Sequence, residues 1–215
     1  MSRIVIFANG ILTEPDRLRR RLRPADRIFC ADGGTVYALA LGLKPQAIIG
    51  DLDSLPPAIL AEMEAAGVAI YRHPARKDQT DLELAFQLAL AEQPDEILLV
   101  TALGGRLDHM LANIFLLTRP DFGLIQLALV DGSQWATVLH PHQTITLTGQ
   151  PGDTLSLVPL SSTVRQVTLT GVEWPLENAT LSLGSTYSIS NALAAHQTTI
   201  KIGEGTVLVV HIERH

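Results

Sequence analysis

Cysteine is nearly absent: Cys30 is the single example in 215 residues. That excludes an intrachain disulfide framework, and the apolar setting Ile28-Phe29-Cys30-Ala31 marks the thiol as a small core residue rather than a nucleophile. Long apolar runs are missing as well. No window has the length a membrane span needs, and Met1–Phe7 is too short an apolar segment for a signal peptide, so a cytoplasmic protein with no membrane partner is expected. Without a secretory signal, the Asn178-Ala179-Thr180 sequon carries no weight. There is no surplus of basic charge either. A net charge of -6 disfavours nucleic-acid binding, and any anionic substrate would have to be handled through a bound metal. No repeat and no low-complexity linker divides the chain.

What is present centres on Ile48-Ile49-Gly50-Asp51-Leu52-Asp53-Ser54, where an apolar run stops and offers two carboxylates one residue apart. At a strand end that spacing lets both converge on a cation. Two like charges so close either share a hard, oxygen-seeking ion such as Mg2+, or one is protonated or turned to solvent. A polar turn that merely stops a strand is the plainer alternative.

Five further apolar runs read as strands: Arg3–Ala8, Arg27–Ala31, Val68–Arg72, Glu96–Thr101 and Leu124–Val130, with Ala47–Gly50 carrying the acidic pair. Helical patterns separate them. The arginine-rich stretch Arg17–Arg23 has Leu18 and Leu22 at helical spacing and reads as a solvated helix face. Asp32-Gly33-Gly34-Thr35 opens another helix, where glycines allow close backbone approach to a ligand. Pro56-Pro57 opens a third, towards Ala66. Thr80 and Glu83 make a capping box for a helix whose buried stripe is Leu82, Ala85, Phe86 and Ala89, which places Asp81 in its first turn. Gly104-Gly105-Arg106-Leu107-Asp108-His109 opens a fifth helix with Leu107, Leu111, Ile114 and Phe115 on one side, and has the makings of a phosphate-and-metal corner. His109 is left outside the catalytic set as a surface or packing residue.

Alternating strands and helices predict an α/β domain over 1–132 with a mostly parallel, Rossmann-like sheet flanked by helices. Ligands bind beyond the carboxyl ends of such strands. Asp32, Asp51, Asp53, Asp78, Asp81 and Asp108 all fall there, in four separate turns, which favours a metal–phosphate site over coincidence. After Asp131 the pattern changes to short runs rich in Thr, Val, Leu and Ile, predicting an antiparallel β-sandwich over 133–215.

In these residues the chain resembles the thiamin pyrophosphokinase family. The resemblance is carried by Asp32-Gly33-Gly34, Gly50–Ser54, Lys77-Asp78-Gln79-Thr80-Asp81, Gly104–His109 continuing to Ala112-Asn113, Gly171–Leu176 and Ser188–Asn191. It implies transfer of the β,γ-pyrophosphoryl group of ATP to the thiamine hydroxyl, releasing AMP, with Mg2+, by a homodimer that shares its thiamine pocket between subunits. By position it makes Asp51, Asp53, Asp81 and Asp108 catalytic, with Asp51, Asp53 and Asp81 on the metal. It puts Asp32, Gly33, Gly34, Lys77, Asp78, Thr80, Gly104, Gly105, Arg106 and Asn113 on ATP, and Asp81, Trp174, Ser188, Ser190 and Asn191 on thiamine. Lys77 stands where some members have Gln, and Pro175 and Ala192 where more polar residues are expected. A metal-dependent nucleotide hydrolase and a non-catalytic nucleotide or thiamine binder remain the competing readings; the intact set of acids argues against the binder.

Overall fold

The computed structural model describes residues 1–123 and 125–214. The chain divides into two compact units, Met1–Gly132 and Ser133–His215.

In the first unit six strands, β1 (Arg3–Phe7), β2 (Arg27–Ala31), β3 (Ala47–Gly50), β4 (Ala69–Arg72), β5 (Glu96–Val100) and β6 (Gln126–Asp131), pair in the order β6-β5-β1-β2-β3-β4. Every pairing among them is parallel. Leu124, where the sixth strand was expected to start, lies outside the described residues. The helices are α1 (Pro15–Arg21), α2 (Gly34–Ala40), α3 (Pro57–Ala65), α4 (Asp81–Ala91) and α5 (Leu107–Leu116). Parallel strands covered on both faces need unbroken apolar runs, and β1 is buried at all five positions. Phe7 and Phe29 are fully buried, each contributing about 2 kcal/mol of transfer free energy. Arg3, the charged residue at the start of β1, is buried against Asp26 through bonds of 2.8 and 2.6 Å.

Helix α4 starts as its sequence dictates, with Thr80 Oγ1 accepting the Glu83 N–H at 3.2 Å. The other half of the capping box is not made, because the Glu83 carboxylate is taken by Gln79 and Arg119. Leu82, Ala85, Phe86 and Ala89 are buried as their spacing requires. Helix α5 differs: none of its residues is buried, and Leu107, Leu111 and Phe115 are about half exposed or more.

The second unit is antiparallel throughout, as expected of a β-sandwich. Strands β7 (Gln134–Leu139), β9 (Thr154–Pro159), β12 (Asn191–Ala192) and β14 (Val207–Ile212) pair in the order β12-β9-β14-β7. Strands β8 (Thr144–Thr148), β10 (Thr163–Thr170), β11 (Leu176–Ser182) and β13 (Gln197–Lys201) form a second layer in the order β11-β10-β13-β8. Alternate residues of both layers, among them Leu155, Leu157, Val167, Leu169, Ile200 and Val209, make one core. Asp153 ties its edge together. It pairs with buried His211 at 2.9 Å and accepts the backbone N–H groups of Gln150 and Arg214, both at 2.9 Å.

No helix among the described residues is long and apolar enough to cross a membrane.

Candidate active site

The chain runs β1 to β4 outward on one side of β1 and returns to its other side with β5. A parallel sheet that reverses like this opens a crevice at the carboxyl ends of its strands. A cavity of about 720 Å³ lies there, lined by the turns that follow β1 to β5. Of the residues expected from sequence, it gathers Asp32, Asp51, Asp53, Lys77, Thr80, Asp81, Gly104, Gly105, Arg106 and Asn113. Gly33, Gly34, Asp78 and Asp108 are not part of its wall. At Gly34 the need for glycine is steric, since a Cβ would sit 2.2 Å from the Phe7 carbonyl oxygen, whereas one on Gly33 would meet only the movable Asn9 side chain, 2.5 Å from its Oδ1. Gly34 thus seats α2 against the end of β1.

Oxygens from Asp32, Asp51 and Asp53 all lie within 4.8 Å of one another. Backbone geometry creates this closeness. Asp32 has a left-handed φ of 45°, and a Cβ on Gly50 would lie 3.0 Å from the Asp81 carboxyl carbon and 3.1 Å from Asp32 Cβ, so the bare glycine leaves room for two acids. Asp32 Oδ1 is buried with no hydrogen-bond partner. Burial pushes the Asp32 carboxyl above its ordinary range; Ser54 and the Gly33 N–H work against that, while the charges of Asp81 and Asp53 add to it. A hard divalent cation fits this donor set: three carboxylates converge, and one buried oxygen has no partner of its own.

Asp81 is placed differently. Its Oδ1 meets Lys77 Nζ at 2.8 Å, reaching back from the start of α4 to the loop before it, and the same ammonium lies 4.0 Å from Asp51 Oδ2. At the far wall Arg106 forks onto Asp108, with bonds of 3.1 and 2.6 Å. This pairing, with both side chains well exposed, holds the Asp108 carboxyl at about 2. Asn113 Nδ2 donates to the Ala102 carbonyl at 2.8 Å, fastening α5 to the end of β5.

A second cavity, of about 390 Å³, lies in the second unit. Trp174, Leu176, Tyr187, Ser188, Ile189, Ser190 and Asn191 line it, so the four second-unit residues expected from sequence are together. Asn191 is a clamp rather than an exposed donor. Its Oδ1 accepts the Trp174 N–H at 3.1 Å and its Nδ2 donates to the Trp174 carbonyl at 2.7 Å, leaving the indole 61% exposed. Ser188 is buried, donating to the Leu157 carbonyl at 2.7 Å. Ser190, at a left-handed φ of 61°, is held through its N–H on Ser156 Oγ at 3.0 Å.

Residues 18–129 match the family model for the thiamin pyrophosphokinase catalytic domain, and residues 142–207 match its vitamin B1 binding domain. The chain belongs to the thiamin pyrophosphokinase family. It is 35% identical to the thiamine pyrophosphokinase of Bacillus subtilis over 83% of this chain and 84% of that one. It is 30% identical to thiamine pyrophosphokinase 1 of Oryza sativa, over 89% of this chain and 78% of that one. The crystal structure of the B. subtilis protein superposes with a TM-score of 0.88 at 31% identity, covering all of both chains. That of the Geobacillus thermodenitrificans protein gives 0.85 at 32%, covering 99% of this chain and 98% of that one.

Several wall residues are not marked by the sequence reasoning above. Asn9, Gly10, Ser54 and Gln79 line the first cavity, and His109, left out as a packing residue, lines it too. Asn9-Gly10 had the available signal, since it ends β1 as Asp32 ends β2. Tyr187, 72% exposed, joins Trp174 on the second wall. Only its aromatic character inside a polar loop marks it.

Proposed function

We propose that the protein transfers the β,γ-pyrophosphoryl group of ATP to the hydroxyl of thiamine, giving thiamine diphosphate and AMP. The observation that carries this is the carboxylate trio Asp32, Asp51 and Asp53 with its unpartnered buried oxygen, set in a glycine-walled cavity of a chain from this family. Such a transfer needs in-line positioning and charge neutralisation more than covalent chemistry. Mg2+ held by Asp32, Asp51 and Asp53 would supply that neutralisation at the phosphates.

The chain's own groups do the rest. Gly104 and Gly105 leave the wall open to the triphosphate, and Arg106 exchanges its exposed carboxylate partner for a phosphate of the same fork geometry. The thiamine hydroxyl oxygen attacks the β-phosphorus, the bond from that phosphorus to the α,β-bridging oxygen breaks, and AMP departs. The hydroxyl proton passes to a wall carboxylate, for which Asp81 is the choice the family pattern favours. Trp174 and Tyr187 offer aromatic faces suited to a flat cationic heterocycle, and Ser188, Ser190 and Asn191 shape that wall.

The acceptor wall, in this reading, comes from the second copy of a homodimer. The uncovered apolar face of α5, which carries the Arg106 corner at its start, supports this, as do exposed Trp174, Leu183 and Tyr187. Product analysis with ATP, Mg2+ and thiamine tests the proposal, alongside Asp53→Ala and a reaction without thiamine. Thiamine diphosphate and AMP in equal amounts, lost in the variant, is the expected result. Nucleotide cleavage at the same rate without thiamine would make the protein a hydrolase instead.

A further inference from the structure

The acidic cluster contains a cation of its own. Asp32, Asp51, Asp53 and Asp81 all line one cavity, yet only the first three bring oxygens within mutual reach of a single ion. Asp81 is engaged elsewhere: its buried Oδ1 forms an ion pair with the Lys77 ammonium 2.8 Å away. The ammonium is also 4.0 Å from Asp51 Oδ2 and donates to the Pro74 carbonyl at 3.2 Å, so it is held from three directions with only 16% of the side chain exposed. Asp51 is the shared member, since it faces the trio on one side and Lys77 on the other.

We propose that Lys77 is a built-in counter-cation, which fills the Asp51/Asp81 end of the cluster and limits the resting site to one divalent ion, at Asp32, Asp51 and Asp53. The inference rests on reading this cavity as a metal-assisted phosphoryl-transfer site. Physically, four carboxylates in one pocket call for more than one positive charge, and a tethered ammonium provides one without depending on free-ion concentration. An amide at residue 77 leaves that end of the cluster to be neutralised from solution, so the identity of this residue sets the number of ions the site takes up.

Counting Mn2+ bound to the substrate-free protein by electron paramagnetic resonance tests this directly. Wild type and Lys77→Arg are expected to bind one ion per chain. Lys77→Gln is expected to bind a second, or to hold the first at least about tenfold tighter once the competing charge beside Asp51 is gone. Lys77→Met, which keeps the length of the stem, should match the Gln variant and guards against a folding defect in it. Two ions in wild type, or the same count and an affinity within that tenfold margin in the Gln and Met variants, overturns the proposal. Thiamine diphosphate formation is followed on the same samples. Wild type that makes product but fails the ion count sinks only the role of Lys77, whereas wild type that makes none sinks the function and leaves the count standing.

Discussion

Asp32 in the parallel unit and Asp153 in the antiparallel unit are both buried, at 5% and 3% exposure, yet their surroundings differ in kind. Asp153 has a full complement of donors: the Gln150 and Arg214 N–H groups and His211. Burial alone would raise its carboxyl, and these donors outweigh that and hold it below the ordinary range. Asp32 has an oxygen with no partner, like-charged neighbours, and a carboxyl held above that range. One acid stabilises the fold as it stands; the other is kept at a cost that a ligand can recover. Two equally buried carboxylates are thus distinguishable by their donors.

The contrast can be broken by mutation. Asp32→Asn should lower thiamine diphosphate formation by about a hundredfold or more while leaving metal-free thermal stability equal or higher, because a strained charge is removed with its cation site. Stability lost in parallel with activity would refute the distinction. Asp153→Ala should do the reverse. Denaturant titration is expected to show a loss of about 3 kcal/mol, as when one partner of a buried pair is removed, with near-normal turnover in the fraction that stays folded. Trp174→Ala sharpens the comparison from the recognition side: the KM for thiamine should rise about tenfold with that for ATP unchanged, as read from initial rates. A shift in both constants would mean that the indole supports the fold rather than the acceptor.

The smallest effect is in the pH dependence of stability, where the two acids act with opposite sign. The contribution of Asp153 is present above the ordinary carboxylate range and is lost as pH falls through its depressed folded value. Asp32 binds its proton more tightly in the folded state, so stability declines as pH rises from the ordinary value through the raised one. Denaturation midpoints of metal-free protein between about pH 3 and pH 6 should therefore fall less steeply on the acid side in Asp153→Ala, and decline less as pH rises in Asp32→Asn. Identical profiles in wild type and both variants would contradict this.

The alternation of elements was legible because parallel strands covered on both faces must be apolar throughout and α4 carries both its cap and its buried stripe in sequence. Strand β12 was not: two residues, Asn191-Ala192, are too few to show a period. Spacing suggested the Asp51/Asp53 pair, but the entry of Asp32 depends on a left-handed backbone and the bare Gly50, which no pattern displays. The Lys77–Asp81 contact was not legible from spacing, since Lys77 lies in the loop before α4 and no helical face joins it to Asp81. The stripe on α5 was visible as a stripe, but periodicity says which side of a helix is apolar and not what covers it.

The Asn191 clamp has a thermodynamic consequence. A side-chain amide that bonds both the N–H and the carbonyl of Trp174 imitates a neighbouring strand, so the segment bearing the indole is ordered before any ligand arrives. Little conformational freedom then remains to be lost on association, and a calorimetric titration should show a small entropic penalty for a flat ligand. The ring can also be exchanged for another aromatic without disturbing its anchor, because the clamp grips main chain alone. Change of the exposed ring at this position is thereby uncoupled from change of the fold.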